Sequence, residues 1–319
     1  MIASNTFALS NMSAYSKSSL SALIVSFNCW SHLDACIRSL LASTLLPSEI
    51  VVIDNASVDS TIENLKKNYP SVTLIRNLEN VGHTKAVNQG LQIVKEEFVL
   101  LLDADTVLTP KCVETLADFL ERKRDVWMVV PRIYYPDGGI QESARNFPTV
   151  LSGLFGRQSL MTRLFPGNPI SRKYLARHHL ASTEPFQVEF VAATCMLFRR
   201  KIINHAGLWD DKYSGYWVDA DWCKRIGNLH GLIYCVPSAS LIHHEQNRRS
   251  LKKSPSRIIS FHSGVYRLYS LHYTKGPLDP RRYIAALLLS IRLMLLLLAN
   301  MFKTSASHPQ DPLTIKKRR

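Results

Sequence analysis

Apolar, β-branched residues fill Ser21 to Phe27 (SALIVSF), apolar positions from His32 to Ser43 then recur at helical spacing, and a second run, Ile50 to Ile53, stops at Asp54. The alternation continues. A helix is expected near Ser60 to Asn68, opened by a Ser60-x-x-Glu63 capping box, then a strand at Val72 to Arg76, a helix at Thr84 to Val94 and a strand at Phe98 to Leu102. Strands alternating with helices predict an α/β fold built on a doubly wound, mostly parallel sheet. Further on, Leu232 to Val236 is strand-like and is followed by a loop. The stretch from Asp137 to Gln187 mixes Gly, Pro, Arg and aromatics without a period and reads as an ordered loop region over a site. Arg145, Arg157 and Arg163 are its candidates for meeting a phosphate.

Wound sheets bind ligands at the carboxyl ends of their strands. There this chain is polar: Asn28 follows the first strand, Asp54, Asn55, Ser57 and Asp59 follow the second, and Asp103 and Asp105 follow the fourth. Neither a Gly-x-Gly-x-x-Gly fingerprint nor a Gly-x-x-x-x-Gly-Lys-Ser/Thr loop is present, so phosphates need another counter-charge. Two carboxylates two residues apart at a strand end share one face, and such hard oxygen ligands suit Mg²⁺ or Mn²⁺ shared with a diphosphate. Asp-x-Asp alone also fits a solvated turn. The apolar run before it, Thr106 after it and Asp54 at a neighbouring strand end favour the metal.

Length and charge then set the organisation. The 319 residues, 46% hydrophobic, suit one large α/β domain with an appendage. Residues 1–20 are Ser- and Asn-rich and read as a disordered lead-in without an export signal. Residues 21–245 form the main domain, with halves 21–135 and 136–245. The formal charge of +14 is lopsided: residues 246–319 carry 15 Lys and Arg against Asp279 and Asp311, leaving the rest almost neutral. Within this basic tail, Tyr283 to Phe302 is nearly all apolar, with Arg292 at its middle, and long enough to cross a bilayer. Arg281, Arg292 and Lys303 recur every eleven residues, which aligns them on one helical side and suits a helix lying in the membrane interface; a true span and a soluble core helix are the alternatives. The clusters Arg248–Arg249, Lys252–Lys253 and 316–319 suit anionic lipid or a lipid-pyrophosphate acceptor, and the apolar run beside them argues against nucleic acid. Six cysteines without a Cys-x-x-Cys pair fit a reducing compartment, so the cytoplasmic face of the inner (plasma) membrane is expected.

Six ordered blocks carry a resemblance: VSFN (Val25 to Asn28), VVIDNASVDST (Val51 to Thr61), NVGHTKAVNQG (Asn80 to Gly90), LLLDADT (Leu100 to Thr106), DGGIQESARNFPT (Asp137 to Thr149) and WVDADWCKR (Trp217 to Arg225). The chain resembles the family 2 glycosyltransferases with the A-type fold, and among them rhamnosyltransferase-like enzymes of cell-surface polysaccharide assembly. The resemblance implies an inverting transfer from a nucleotide-diphosphate sugar, with dTDP-rhamnose leading, to a hydroxyl of a glycan or lipid-linked acceptor. It implies that Asp54 bonds the base or ribose, that Asp103 and Asp105 hold the metal-diphosphate, and that Asn80, Gly82 and Asn88 approach the donor, although a Gly turn packing a helix on the sheet would look the same. Asn28, Asn55 and Asp59 join the donor set by position.

Direct displacement needs a base opposite the leaving group. Asp219 and Asp221 are the candidates. The family usually has Glu-Asp here, and Val218 stands at the Glu position, so Asp219 matches the Asp; Asp221 could instead cap or orient the helix start. His243, with His244 beside it, stands where related enzymes carry a histidine that reaches the metal or diphosphate. Trp217 and Trp222 suit sugar stacking or the core equally. A sugar nucleotidyltransferase would need a Gly-rich loop after the first strand, where this chain reads Ser26-Phe27-Asn28-Cys29-Trp30. Val218 alone suggests an inactive membrane scaffold.

Overall fold

Both faces of the first strand are buried, which is why its sequence reads as an unbroken apolar run. In the computed structural model, which describes residues 19–149, 160–245 and 254–302, β1 (Leu20–Ser26) is followed by α1 (Trp30–Leu41), β2 (Glu49–Asp54), α2 (Thr61–Asn68), β3 (Thr73–Arg76), α3 (His83–Ile93) and β4 (Phe98–Asp103). These lie within a residue or two of the expected elements. Leu23 faces a core layer with Val87, Leu91 and Trp222, whereas Ala22 and Ile24 face the opposite layer with Leu33, Ile37 and Leu116. Gly90 brings α3 so close to β1 that a Cβ there would lie 2.2 Å from Leu23 Cδ1. The capping box does not form: Ser60 is the N-cap of α2 but makes no side-chain cap bond, and the Asp59 carboxylate accepts from the Thr61 N–H instead (3.1 Å).

The second half adds β5 (Thr106–Leu108), α4 (Cys112–Arg122), β6 (Val126–Tyr134), β7 (Ile140–Gln141), β8 (Ala144–Arg145), α5 (Leu160–Leu164), α6 (Pro169–Tyr174), β9 (Phe186–Val188), β10 (Phe190–Val191), β11 (Cys195–Arg199), α7 (Lys201–Ala206), α8 (Val218–Asn228) and β12 (Leu232–His243). The region expected to be loop between Asp137 and Gln187 thus holds short strands and helices. Among the described residues one ten-stranded sheet runs β3-β2-β1-β4-β11-β6-β12-β5, with β7 beside β6 and β9 beside β12. Its first four strands are parallel, and β11 enters antiparallel between β4 and β6.

β12 does not end at Val236. A register shift between Val236 and Ser240 kinks it, after which Leu241 to His243 pair with β5 on one side while Leu241 and Ile242 pair with β6 on the other. The bulge therefore delivers His243 opposite Thr106, beside the Asp-x-Asp turn.

The basic tail is not all appendage. α9 (Pro255–His272) packs on α8, and α10 (Pro280–Met301) packs back on α9. α10 begins at an Asp279 N-cap followed by Pro280 and exposes Tyr283, Leu287, Ile291, Met294, Leu298 and Met301 at spacings of three and four, one unbroken apolar stripe. Arg292 does not join a lipid-facing row with Arg281. It is half-buried toward the body, within electrostatic reach of Tyr174 and His262 on the side occupied by α9, and Arg281 is paired with Asp279. Lys303, the other tail cations (Arg248–Arg249, Lys252–Lys253, 316–319), Arg157 and residues 1–18 lie outside the described residues. All six cysteines are unpaired; five are buried and Cys29 is half-buried.

Candidate active site

The carboxyl ends of β1, β2 and β3 form a rim bonded to itself. Asp54 is fully buried: its Oδ1 accepts from Ser26 Oγ (3.2 Å) and its Oδ2 from the Ser57 N–H (2.9 Å). Asn28, in left-handed backbone (φ 48°), accepts at Oδ1 from the Val58 N–H (2.8 Å) and donates its own N–H to Ser57 Oγ (2.8 Å). Asn55 Oδ1 accepts from the Val81 N–H (3.0 Å), and its Nδ2 donates to Asn80 Oδ1 (2.8 Å), which also accepts from the Gly82 N–H (3.0 Å). Gly82 has φ 87°, which only glycine adopts without strain, and it opens α3. Asp59, besides the Thr61 bond, faces the Trp30 N–H at 3.5 Å.

Asn88 is absent from this rim. Its amide clasps the backbone of Trp209 from both ends, Nδ2 donating to the carbonyl (2.8 Å) and Oδ1 accepting from the N–H (2.9 Å). In this arrangement its amide joins α3 to the segment before α8.

Across the sheet, the ligand atoms of Asp103, Asp105 and His243 lie within 4.8 Å of one another. His243 Nε2 is 3.1 Å from Asp105 Oδ1, and its Nδ1 meets Gln141 Oε1 at 2.8 Å, a contact that orients the ring. The His244 N–H donates to the Asp105 carbonyl (2.9 Å), pinning β12 to the turn. Burial is the largest single influence on Asp105 and works against its charge, but the bond and charge of His243, joined by smaller contributions, together hold the carboxyl below its usual range. His243 is likewise raised, burial being outweighed by the bond to Asp105 together with the charges of Asp105, Asp103 and Glu245. Asp103 is raised, by burial above all. Two carboxylates and an imidazole of this closeness are a fitting donor set for Mg²⁺ or Mn²⁺.

Asp219 lies in the first turn of α8, half-buried, its Oδ1 accepting from the Ala220 N–H (2.8 Å). Burial pushes its carboxyl up, and the backbone of Ala193 and the charge of Arg145 oppose this. The segment 192–194 adjoins both acidic groups: the Thr194 carbonyl accepts from the Asp103 N–H (3.0 Å), and the Ala193 backbone is near enough to Asp219 to lower its carboxyl. Asp221, the other candidate, is buried with both oxygens taken. Oδ2 accepts from Arg225 Nε (2.9 Å), and Oδ1 meets His272 Nε2 (2.8 Å) and the Tyr213 hydroxyl (3.4 Å). In this arrangement it forms a buried ion pair with Arg225. Trp222 likewise belongs to the core, its Nε1 donating to the Gly207 carbonyl (2.8 Å); Trp217 lies half-buried against Phe261.

Sequence reasoning missed Gln141, Thr194 and two further histidines near the acidic cluster, His32 on the side of Asp105 and His83 on the side of Asp103. Gln141 and His83 stand inside quoted blocks, the one signal that could have raised them.

A wound sheet with a polar rim at the carboxyl ends of its first strands and an Asp-x-Asp turn at the end of β4 is the arrangement of an A-type glycosyltransferase fold. Residues 21–207 match Glycosyl transferase family 2, and the chain belongs to that family. The N-acetylglucosaminyl-diphospho-decaprenol L-rhamnosyltransferase of Mycobacterium tuberculosis is 27% identical over 259 residues, 77% of this chain and 82% of its own. The chondroitin synthase of Pasteurella multocida is 28% identical over 149 residues, 46% of this chain and 15% of its own. Among solved structures, GalNAc-T7 with UDP, GalNAc and Mn²⁺ shares the fold, with a TM-score of 0.61 and 20% identity over 82% of this chain, which spans 49% of that one.

Proposed function

We propose that the chain is an inverting, divalent-cation-dependent glycosyltransferase that moves a sugar, rhamnose from dTDP-rhamnose in the leading reading, to a hydroxyl of a lipid-pyrophosphate-linked glycan at a membrane surface. The observation that carries the reading is the pairing of two acidic groups across segment 192–194: a cation-type cluster on one side and the proton-seeking Asp219 on the other. Asp103, Asp105 and His243 would hold the cation, which supplies charge neutralisation for the departing nucleoside diphosphate. Asn28, Asp54, Asn55, Asp59, Asn80 and Gly82 shape the nucleotide floor, and Asp54 braces it from beneath through Ser26 and Ser57. Asp219 accepts the acceptor proton as that oxygen attacks the anomeric carbon. Attack from the face opposite the leaving group inverts the centre, and burial brings the carboxyl nearer the working pH.

The choice of rhamnose and of a lipid-linked acceptor is supported by the mycobacterial relative. The stripe on α10 supports work at a membrane surface, and six unpaired thiols support its cytoplasmic face. The test is a panel of nucleotide sugars offered with Mn²⁺ and a pyrophosphate-linked N-acetylglucosamine acceptor, the product anomer being read by NMR. Transfer with inverted configuration, abolished by chelation, is expected. Retained configuration, or no transfer from any donor, would sink the reading, and indifference to chelator would remove the cation from it.

A further inference from the structure

One face of α9 grips the whole segment from Asp210 to Asp221, which ends in the turn bearing Asp219. Arg267 Nε donates to Asp210 Oδ2 (2.7 Å), and its guanidinium lies over the Tyr213 ring at 5.4 Å. Ser260 Oγ donates to the Ser214 carbonyl (2.9 Å) and pairs with its hydroxyl (2.6 Å). Phe261 meets Trp217 with ring centroids 5.4 Å apart, and Gly264 lets the helix come so close that a Cβ would lie 2.6 Å from the Tyr216 carbonyl. At the end of the helix His272 Nε2 meets Asp221 Oδ1 at 2.8 Å. Phe261, Gly264, Leu268 and His272 recur at three, four and four residues, so these contacts lie on one stripe.

The held segment needs holding. Trp217, the N-cap of α8, is in left-handed backbone at φ 72°, which a bulky residue adopts only when its surroundings impose it. The N-cap side chain makes no bond to that end of α8, so the direction of its first turn depends on contacts made elsewhere. Asp221 lies two residues beyond Asp219 on that turn, and it is clamped from two helices, by Arg225 within α8 and by His272 from α9.

We infer that His272 is a positioning residue for transfer: through Asp221 it fixes the first turn of α8 and hence the direction in which Asp219 meets the acceptor hydroxyl. The inference rests on Asp219 being the base. It also makes α9, the root of the apolar hairpin, a splint for the acceptor side rather than a tether. The Asp103–Asp105–His243 cluster and the donor rim stand on other elements, and α9 makes none of the bonds described for them.

The test uses the full chain with His272→Ala and His272→Gln, the glutamine offering an amide donor at similar reach. Hydrogen exchange without substrate reads the turn directly: His272→Ala should lose protection at residues 217–221 while residues 98–106 keep theirs, and His272→Gln should regain it. In transfer assays His272→Ala should lower kcat about 10- to 100-fold, the scale of an ångström of misplacement, with donor KM within about twofold, and His272→Gln should recover most of the loss. Added to Asp219→Asn, His272→Ala should cost less than about twofold more, because two residues acting as a unit are not additive. Unchanged exchange in His272→Ala, a loss shared equally by donor KM, or a full additional loss beside Asp219→Asn would each overturn the inference. Wild-type turnover in Asp219→Asn alone would instead remove the base assignment beneath it.

Discussion

Replacing Gly264 by alanine separates activity from stability at one carbon atom. The added Cβ would stand 2.6 Å from the Tyr216 carbonyl, 3.1 Å from Trp217 Cδ1 and 3.4 Å from Trp217 Cβ. Ordinary contact begins near 3.5 Å, so α9 and the Tyr216–Trp217 backbone must part by the order of 1 Å. Overpacking of this kind costs about 1–3 kcal/mol, whereas exchanging a mid-helix glycine for alanine returns about 1 kcal/mol. The net loss is then about 0–2 kcal/mol, a fall in Tm of a few degrees at about 2–4 °C per kcal/mol. The chemistry has no such offset, since an ångström of displacement in a reacting group costs about 10²-fold, or about 2.7 kcal/mol of barrier. Gly264→Ala should therefore lose kcat far beyond its loss of stability, with donor affinity unchanged. Paired measurement of kcat, donor affinity and thermal midpoint decides it. A variant with a higher midpoint and full kcat would refute the reasoning, because α9 would then be free to withdraw without disturbing Asp219.

Asp105→Asn should abolish cation-dependent donor binding while leaving the fold intact; calorimetric titration of donor with Mn²⁺ checks it, and unchanged affinity would remove Asp105 from the cation site. Asp219→Asn should keep donor affinity but lower turnover by about 10² to 10⁴, measured in single-turnover transfer. Ending the chain after Gly276 removes α10 and keeps α9: the product should leave the membrane fraction and still act on a soluble acceptor, whereas a chain ending before Pro255 should bind donor without transferring. The carboxyl of Asp221 is held below its ordinary 3.8, where the bonds from His272 and Arg225 outweigh burial. Its contribution is thus complete above that value and is lost as pH falls through the lower folded one. Denaturant midpoints taken as pH falls below about 4 should drop more steeply for wild type than for Asp221→Asn, and parallel curves would contradict this.

The first half of the fold was legible because parallel strands buried on both faces must be apolar throughout, and because the polar residues that end them stand out against that background. β11 and β6 were not legible in the same way: β11 enters the sheet between β4 and β6 by long-range pairing that no local period announces, and β6 contains Pro131. His243 was readable as a site residue through resemblance alone, since a bulge brings it to Asp105 and bulges leave no mark in an alternation pattern. α9 hid because the residues that break its apolar stripe, Ser260, Arg267 and His272, bond to protein instead of facing water. The partners of Asn88 and Asp221 were not legible for the opposite reason: they are backbone and buried charge, which a polar residue near a motif block does not announce. Arg292 was assigned to lipid from spacing, which gives the angle around a helix but not what packs there.

The native thiols have a practical consequence. Burial pushes Cys36, Cys112 and Cys235 up to about 12 and Cys29 up to about 11, and it raises Cys195 and Cys223 as well. Maleimide and methanethiosulfonate reagents attack thiolate, so at neutral pH the wild-type chain is close to blank toward them. A single cysteine introduced on α10, at Leu287 or Leu298, would become the one fast-labelling position without any native cysteine being removed. A spin label or fluorophore carried there would report the depth of each turn of the stripe in a bilayer, residue by residue, on otherwise unaltered protein.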